Sequence, residues 1–313
     1  MKIAYLILCH TDPKHIGRLA AKLTKGTDNE VFVHVDKKSD ISPFKQELEG
    51  LSQAVHVLDG RTSVFWGGYS AIEATVSLMR EAIKAGNFDR FVLLQGLEYP
   101  IKSNKEIDEF FAHNKRTEFI LAQNISKKKD VKEEHKYRLF YDLDRAHKIT
   151  RKAIHKINTT LMWHGFVPHL KPNYVRDAAG RKMDIYQGCA QFGLTADMVR
   201  YIVQFHDENP KFNKYFKSMY AVDESYFHTI VYNSPFVKNT PDGKAVSRPH
   251  LTDFENLTYF EYPVTVTLFT KIEDWPKLRD SGFLYFRKAS SESKELLDYI
   301  DEIHNKQYAT LET

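Results

Sequence analysis

Residues 3 to 9, IAYLILC, are an unbroken apolar run, and the stretch TDPKHIGRLAAKL that follows places Ile16, Leu19, Ala20 and Leu23 on one face at helical spacing. Asp12 can cap that helix and Pro13 can open it, so a strand followed by a helix is predicted. EVFVHVDKK reads as a second strand ending in polar residues, and AVHVLD as a third. YSAIEATVSLMREAIKAG has the period of an amphipathic helix stopped at Gly86, and RFVLLQG is another buried strand. Strands alternating with helices predict an α/β fold whose central, mostly parallel sheet is covered by helices on both faces. Ligands in such sheets sit beyond the carboxyl ends of the strands. The polar residues just after the strands therefore carry the interest: His10, Asp36, Arg61 and the QGLEYP segment. Towards the end of the chain, YPVTVTLF alternates like a strand, and GFLYFRKAS brings an apolar run to Arg287 and Lys288.

Composition narrows the function classes. A chain of 313 residues, 42% hydrophobic and 13% aromatic, can bury a large core as one domain over residues 1–313. Its formal charge of +4 suits an anionic small molecule and falls short of a nucleic-acid binder. The excess is concentrated between residues 125 and 157, where eleven Lys and Arg face five Asp and Glu. That stretch is either a solvated helix face or a patch that holds an anionic or lipid-linked acceptor at a membrane surface. The change of composition near residue 124 divides the domain into a first half, 1–123, and a second, 124–313. Cys9 and Cys189 are the only cysteines, too few for a disulfide framework or a zinc site, so a reducing, cytoplasmic setting is expected. The opening apolar run is too short to cross a bilayer and has no cleavage signal, which fits a first strand better than a targeting segment.

Several chemistries leave no trace. There is no Walker loop, no G-x-G-x-x-G and no G-x-S-x-G elbow. Asp142 and Asp144 have the D-x-D spacing with which a divalent ion can be held against a diphosphate, although they sit within the basic stretch on what reads as a polar face. Arg287 with Lys288 offers a bidentate fork and a point charge at a strand end, able to neutralise a leaving diphosphate without metal, or simply a basic end facing water. In YAVDESYFHTIV, Asp223 and Glu224 stand at the start of a helical pattern. Acids there serve as a cap, and a carboxylate fixed at that position also suits a general base acting on a substrate hydroxyl.

The order of these features resembles glycosyltransferase family 14, the core-2/I-branching β-1,6-N-acetylglucosaminyltransferases and peptide O-xylosyltransferases. The likeness runs from YLILCHTDPKHIGRLAAKL and VFVHVDKKS through VFWGGYSAIEATVSLMREAI, FVLLQGLEYPIKSNKEIDEFF and DESYFHTIVYNSP to YFRKAS. It implies a glycosyltransferase-A fold and an inverting transfer from a UDP-sugar that needs no metal. By that resemblance Glu224 matches the general base, with Asp223 left as the cap, and Arg287 and Lys288 match the pair that binds the diphosphate. Val35, Asp36 and Arg61 fall where the nucleotide is held, and Trp66 at the entry to the matching helix. Lys132 and Tyr259 correspond to acceptor contacts. Glu98 stands where the family carries Asp, and Ala190 and Gln191 where xylosyltransferases carry an acid and a Trp. The smaller residues imply room for a larger sugar, N-acetylglucosamine before xylose. The acceptor is then a glycan or lipid-linked glycan of a cell-surface polysaccharide. The alternatives are a metal-dependent transferase using Asp142 and Asp144, a xylosyltransferase, and a non-catalytic glycan- or nucleotide-binding module.

Overall fold

The computed structural model of the chain describes residues 1–51, 53–127, 142, 144, 148–164, 172–248, 250–263 and 265–309. Strand β1 (Ile3–Cys9) leads into α1 (Pro13–Thr24), and β2 (Glu30–Val35) into α2 (Ser42–Leu48). Next come β3 (Val55–Val57), α3 (Ser70–Ala85), β4 (Arg90–Leu94), β5 (Glu98–Pro100) and α4 (Asn104–His113). The later elements are β6 (Gln123–Asn124), α5 (Lys148–Trp163), β7 (Tyr174–Arg176), β8 (Lys182–Asp184), β9 (Tyr186–Gln187) and β10 (Phe192–Thr195). Helices α6 (Ala196–Glu208), α7 (Pro210–Phe216) and α8 (Tyr226–Tyr232) precede β11 (Thr258–Phe260), α9 (Trp275–Asp280), β12 (Tyr285–Arg287) and α10 (Lys294–Ala309).

The central sheet has five strands in the order β10-β4-β1-β2-β3. Its first four strands in sequence run parallel, and β10 joins the edge antiparallel to β4. Alternation along β1 feeds two cores at once, because successive side chains of a strand point to opposite faces. Ala4 and Leu6 pack with Ile72, Val76 and Met79 of α3. Ile3, Tyr5 and Ile7 pack with Ile16, Leu19 and Leu23 of α1. Helices therefore cover both faces, as the strand-helix alternation predicts. A second, three-stranded sheet, β11-β12-β5, joins distant parts of the chain, with Arg287 opposite both Glu98 and Phe260.

Local chemistry sets these elements. Asp12 accepts from the amide of His15 at 3.2 Å and so caps α1, while its second carboxylate oxygen accepts from the amide of Ser291 at 2.7 Å. Ser103 and Glu106 close a reciprocal capping box on α4. Gly96 turns the chain after β4 with φ of +76°, and a Cβ there would meet the Cβ of Cys9 at 2.9 Å. Only glycine lets the ends of β1 and β4 approach so closely.

The structure departs from the sequence pattern at YPVTVTLF, where the described residues form no strand. Its backbone is drawn elsewhere: Thr267 donates to the carbonyl of Glu261, Phe269 to that of Lys288, and Lys288 to that of Thr267. Tyr262 is exposed while Phe269 is buried, and Pro263 supplies no amide for a ladder. Among the described residues, no helix is long and apolar enough to cross a membrane.

Candidate functional site

The carboxyl ends of β1, β2 and β4 open onto a cavity of about 540 Å³. Cys9 and His10 line it from β1, Asp36 and Lys38 from β2, and Gln95 from β4. Phe65, Trp66 and Gly67 come from the loop before α3, and Asp223, Phe227 and Arg287 close the far side. Residues more than 250 positions apart in the sequence thus meet in one space because the two sheets abut there.

The β2 side is rigidly built. Asp36 accepts from the amides of Lys38 at 2.9 Å and Val64 at 3.3 Å, and from Lys38 Nζ at 2.6 Å. Burial alone would raise its pKa, but these donors and the Lys38 charge hold it below the ordinary carboxylate range. Lys38 also donates to the Val64 carbonyl and lies 4.5 Å from the centre of the Phe65 ring. Thr62 donates its amide to His34 Nε2 at 2.8 Å, which requires a neutral imidazole; burial lowers the His34 pKa accordingly. Arg61 does not enter the cavity lining: it donates to the carbonyls of Asp36 and Ser39 at 3.4 and 3.0 Å, pinning the loop to the strand. Val35 is buried at the end of β2, in register with Cys9. Burial, with Asp36 nearby, pushes the Cys9 thiol up to about 12, so it is no nucleophile at neutral pH.

On the opposite side Arg287 bonds Glu98 at 2.6 Å. The Glu98 carboxylate is fully buried and also accepts from the amides of Gln95 at 2.8 Å and Leu97 at 3.2 Å and from Gln191 Nε2 at 3.1 Å. Glu98 thus fixes the guanidinium at the edge of the cavity. Gln191 supports Glu98, and neighbouring Ala190 is buried. Lys288 is half-buried and does not line the cavity, its backbone being used to hold Thr267 and Phe269.

The acidic pair of the 220–236 segment divides. Asp223 and Glu224 lie in a one-turn 3-10 segment, Val222–Glu224, ahead of α8, whose own N-cap position, Ser225, makes no side-chain cap bond. Asp223 is therefore not the helix cap expected from the sequence. Asp223 lines the cavity with Arg287; burial raises the pKa of its carboxyl, opposed by its own amide, that of Glu224 and the Arg287 charge. Glu224 is absent from the cavity lining and accepts from Gln187 Nε2 at 3.2 Å, near the buried Cys189.

Trp66 is 81% exposed, its ring edge-on to Tyr220 at 5.3 Å, and forms a bare aromatic rim to the cavity. Tyr259 stands on β11 away from that rim, packed against Phe269 and Phe283 and donating to Glu261 at 2.7 Å. Lys132 lies outside the described residues. Asp144 reaches the start of α3, accepting from the Ser70 amide at 2.7 Å and hydroxyl at 2.9 Å, and its own amide donates to Asp142 at 3.0 Å. This aspartate caps a helix 74 residues away, a use of the D-x-D spacing that its sequence neighbourhood does not announce. Sequence reasoning passed over Lys38, although it belongs to the quoted strand end VHVDKKS. It also passed over Glu255, whose surroundings form only when β11 and β12 meet.

Comparisons with known proteins agree with this layout. Residues 3–251 match the Core-2/I-Branching enzyme family. Xylosyltransferase 2 of Rattus norvegicus is 24% identical over 250 residues, covering 77% of this chain and 26% of that protein. Xylosyltransferase 2 of Homo sapiens is 24% identical over 240 residues, covering 75% and 25% respectively. Xylosyltransferase 1 of Rattus norvegicus is 21% identical over 243 residues, covering 75% and 26%. The chain thus spans about a quarter of the length of the curated relatives it matches. With a family match over most of its length and a mostly parallel α/β sheet of the glycosyltransferase-A kind, the chain belongs to the Core-2/I-branching enzyme family, glycosyltransferase family 14.

Proposed function

We propose that the protein is an inverting glycosyltransferase that moves a sugar from a UDP-sugar to a glycan acceptor, forming a β-linkage. The observation that carries this reading is a cavity, beyond the carboxyl ends of parallel strands, that joins Asp36 and Lys38 on one wall to Arg287 and Asp223, the residue before Glu224, on the other. In the reaction the acceptor oxygen bonds to the anomeric carbon as the bond from that carbon to the diphosphate breaks. The acceptor proton passes to a carboxylate, and UDP leaves with the bond electrons. Such a step asks for a fixed base and for positive charge on the leaving group. Glu224 is the base in this reading, and Arg287 with Lys288 carries the diphosphate. A specific observation favours Asp223 as a second candidate: this residue, and not Glu224, lines the cavity with Arg287.

Function without a metal is part of the proposal. It is supported by the engagement of both Asp144 oxygens at the start of α3. The donor is proposed to be UDP-N-acetylglucosamine, on the small size of Ala190 and Gln191. UDP-xylose is the second reading, since the similar curated proteins are named xylosyltransferases. Work on a cell-surface polysaccharide from the cytoplasmic side, with the basic 125–157 segment at the membrane, completes the proposal. A thermal-shift panel of nucleotide sugars tests it, because a ligand at a hundred times its Kd stabilises the fold by about 2.7 kcal/mol. UDP and one UDP-sugar are expected to raise the melting temperature; a flat response to every uridine nucleotide would exclude the reading.

A further inference from the structure

Arg287 serves two acids. Beyond its 2.6 Å pair with Glu98, its charge acts on Glu255. Glu255 stands just ahead of β11, the strand that pairs with β12 in the register Phe260 opposite Arg287. Its carboxyl hydrogen-bonds the Cys189 thiol and accepts from the amide of Thr258, and its Oε1 is fully covered and has no hydrogen-bond partner. Nothing in the transfer step described above employs this acid.

Counting charge shows why it matters. The Glu98–Arg287 pair sums to zero, and a second carboxylate beside it makes the cluster −1 at the place where the leaving diphosphate needs a cation. An ionised carboxylate with a covered, unpartnered oxygen is costly, so the neutral acid is the form this environment favours.

We propose that Glu255 is a positioning residue for donor binding, held protonated beside the Glu98–Arg287 pair so that Arg287 can attract a nucleoside diphosphate, and that its ionisation weakens that anchor. The inference rests on the UDP-sugar reading given above. The charged and titratable groups facing Glu255 are Glu98 from β5, Arg287 from β12 and Cys189 from the turn between β9 and β10, with Glu224 beyond Cys189. Burial lifts the Glu255 carboxyl to about 8, with Glu98 adding to the rise and the Cys189 hydrogen bond, Arg287 and the Thr258 amide opposing it. The Cys189 thiol is itself held neutral by burial, so it adds no titration near that range. The sign follows: donor affinity is full below this value and falls as pH rises through it.

The test uses UDP and the full chain, with affinity measured by calorimetry at pH 7 and pH 9. The terminal phosphate of UDP titrates near pH 6, so the diphosphate charge is constant over that window. The uracil N3–H, which begins to ionise towards pH 9, does so equally for both proteins, so the wild-type slope is read against that of Glu255→Gln. If only the protonated form binds, about one molecule in ten is competent at pH 9 and the wild-type Kd rises roughly tenfold. Glu255→Gln, neutral at every pH, is expected to bind UDP with the wild-type affinity at pH 7 and to lack the tenfold loss at pH 9. A flat wild-type profile overturns the inference. So does a Glu255→Gln variant that keeps the tenfold slope, the outcome of a merely structural role. Should that variant fail to fold, the wild type alone decides: UDP binding at pH 8 is expected to take up about half a proton, seen by comparing buffers of different ionisation enthalpy, and zero uptake overturns it. Absence of UDP binding by the wild type at both pH values instead removes the donor reading, and the inference with it.

Discussion

Replacing Arg287 by methionine keeps the length of the side chain and removes the cation that neutralises Glu98. The carboxylate left behind is fully buried, and three neutral donors, the amides of Gln95 and Leu97 and the amide group of Gln191, remain to it. Breaking a buried ion pair from one side costs about 3–5 kcal/mol, because the survivor keeps its desolvation penalty without its partner. Glu255, held neutral by burial, adds no second stranded charge, so the loss is that of the Glu98 pair alone. In the double variant Glu98→Gln with Arg287→Met no buried charge is stranded. A coupling energy on the order of 1.5–3 kcal/mol is therefore expected between the two positions, the range of hydrogen bonds to charged groups. Urea denaturation of the wild type, both single variants and the double variant reads this from midpoints at constant slope. UDP binding should be lost in Arg287→Met and in the double variant alike, since regained stability does not restore the anchor. If Arg287→Met unfolds within about 0.5 kcal/mol of the wild type, the scale of an ordinary surface change, the pair is not the buried unit described here.

Asp144→Ala should remove the cap of α3 and cost about 1 kcal/mol of stability, measurable as a shift of the denaturation midpoint. Activity of the wild type should be unchanged in excess chelator, whereas loss under chelation would revive the D-x-D pair as a metal site. Burial lowers the pKa of His304 to about 4, with the Lys22 charge adding, and that of His228 to about 3. Each is neutral in the fold and protonated in the unfolded chain below its ordinary value near 6.5, so stability should fall as pH drops from about 6.5 to 4. His304→Gln, which retains a donor for the Ile101 carbonyl, should flatten that slope; an unchanged slope would show that neither the burial nor the neutral state is as described.

Much of the frame was legible because it rests on short-range chemistry. The apolar run of β1, the Asp12-Pro13 start of α1 and the period of α3 ending at Gly86 are all local signals, and each element forms where its signal lies. The polar residues after β1, β2 and β4 were legible as site candidates for a topological reason, and Asp36 does line the cavity. What stayed hidden depends on contacts far apart in the chain. Glu98 and Arg287 are 189 residues apart, and Asp144 caps a helix from 74 residues away. Adjacent acids at 223 and 224 look equivalent in sequence, yet after the left-handed Ala221 the 3-10 turn leaves Asp223 in the cavity lining and brings the Glu224 carboxylate to Gln187. YPVTVTLF has the alternation of a strand, but its amides find partners in a loop, and alternation alone carries no information about a missing neighbour strand.

The carboxylate at the 223–224 turn is the centre of the account, and one pair of isosteric variants tests it most directly. Glu224→Gln and Asp223→Asn each remove proton-accepting capacity with little change of shape, so UDP affinity and UDP-sugar turnover can be compared within the same protein. Turnover is expected to collapse by about 100-fold or more in Glu224→Gln, the low end for a general base, with UDP affinity within a few-fold of the wild type. Full turnover in Glu224→Gln together with collapse in Asp223→Asn would contradict the assignment and move the base to the residue that faces Arg287.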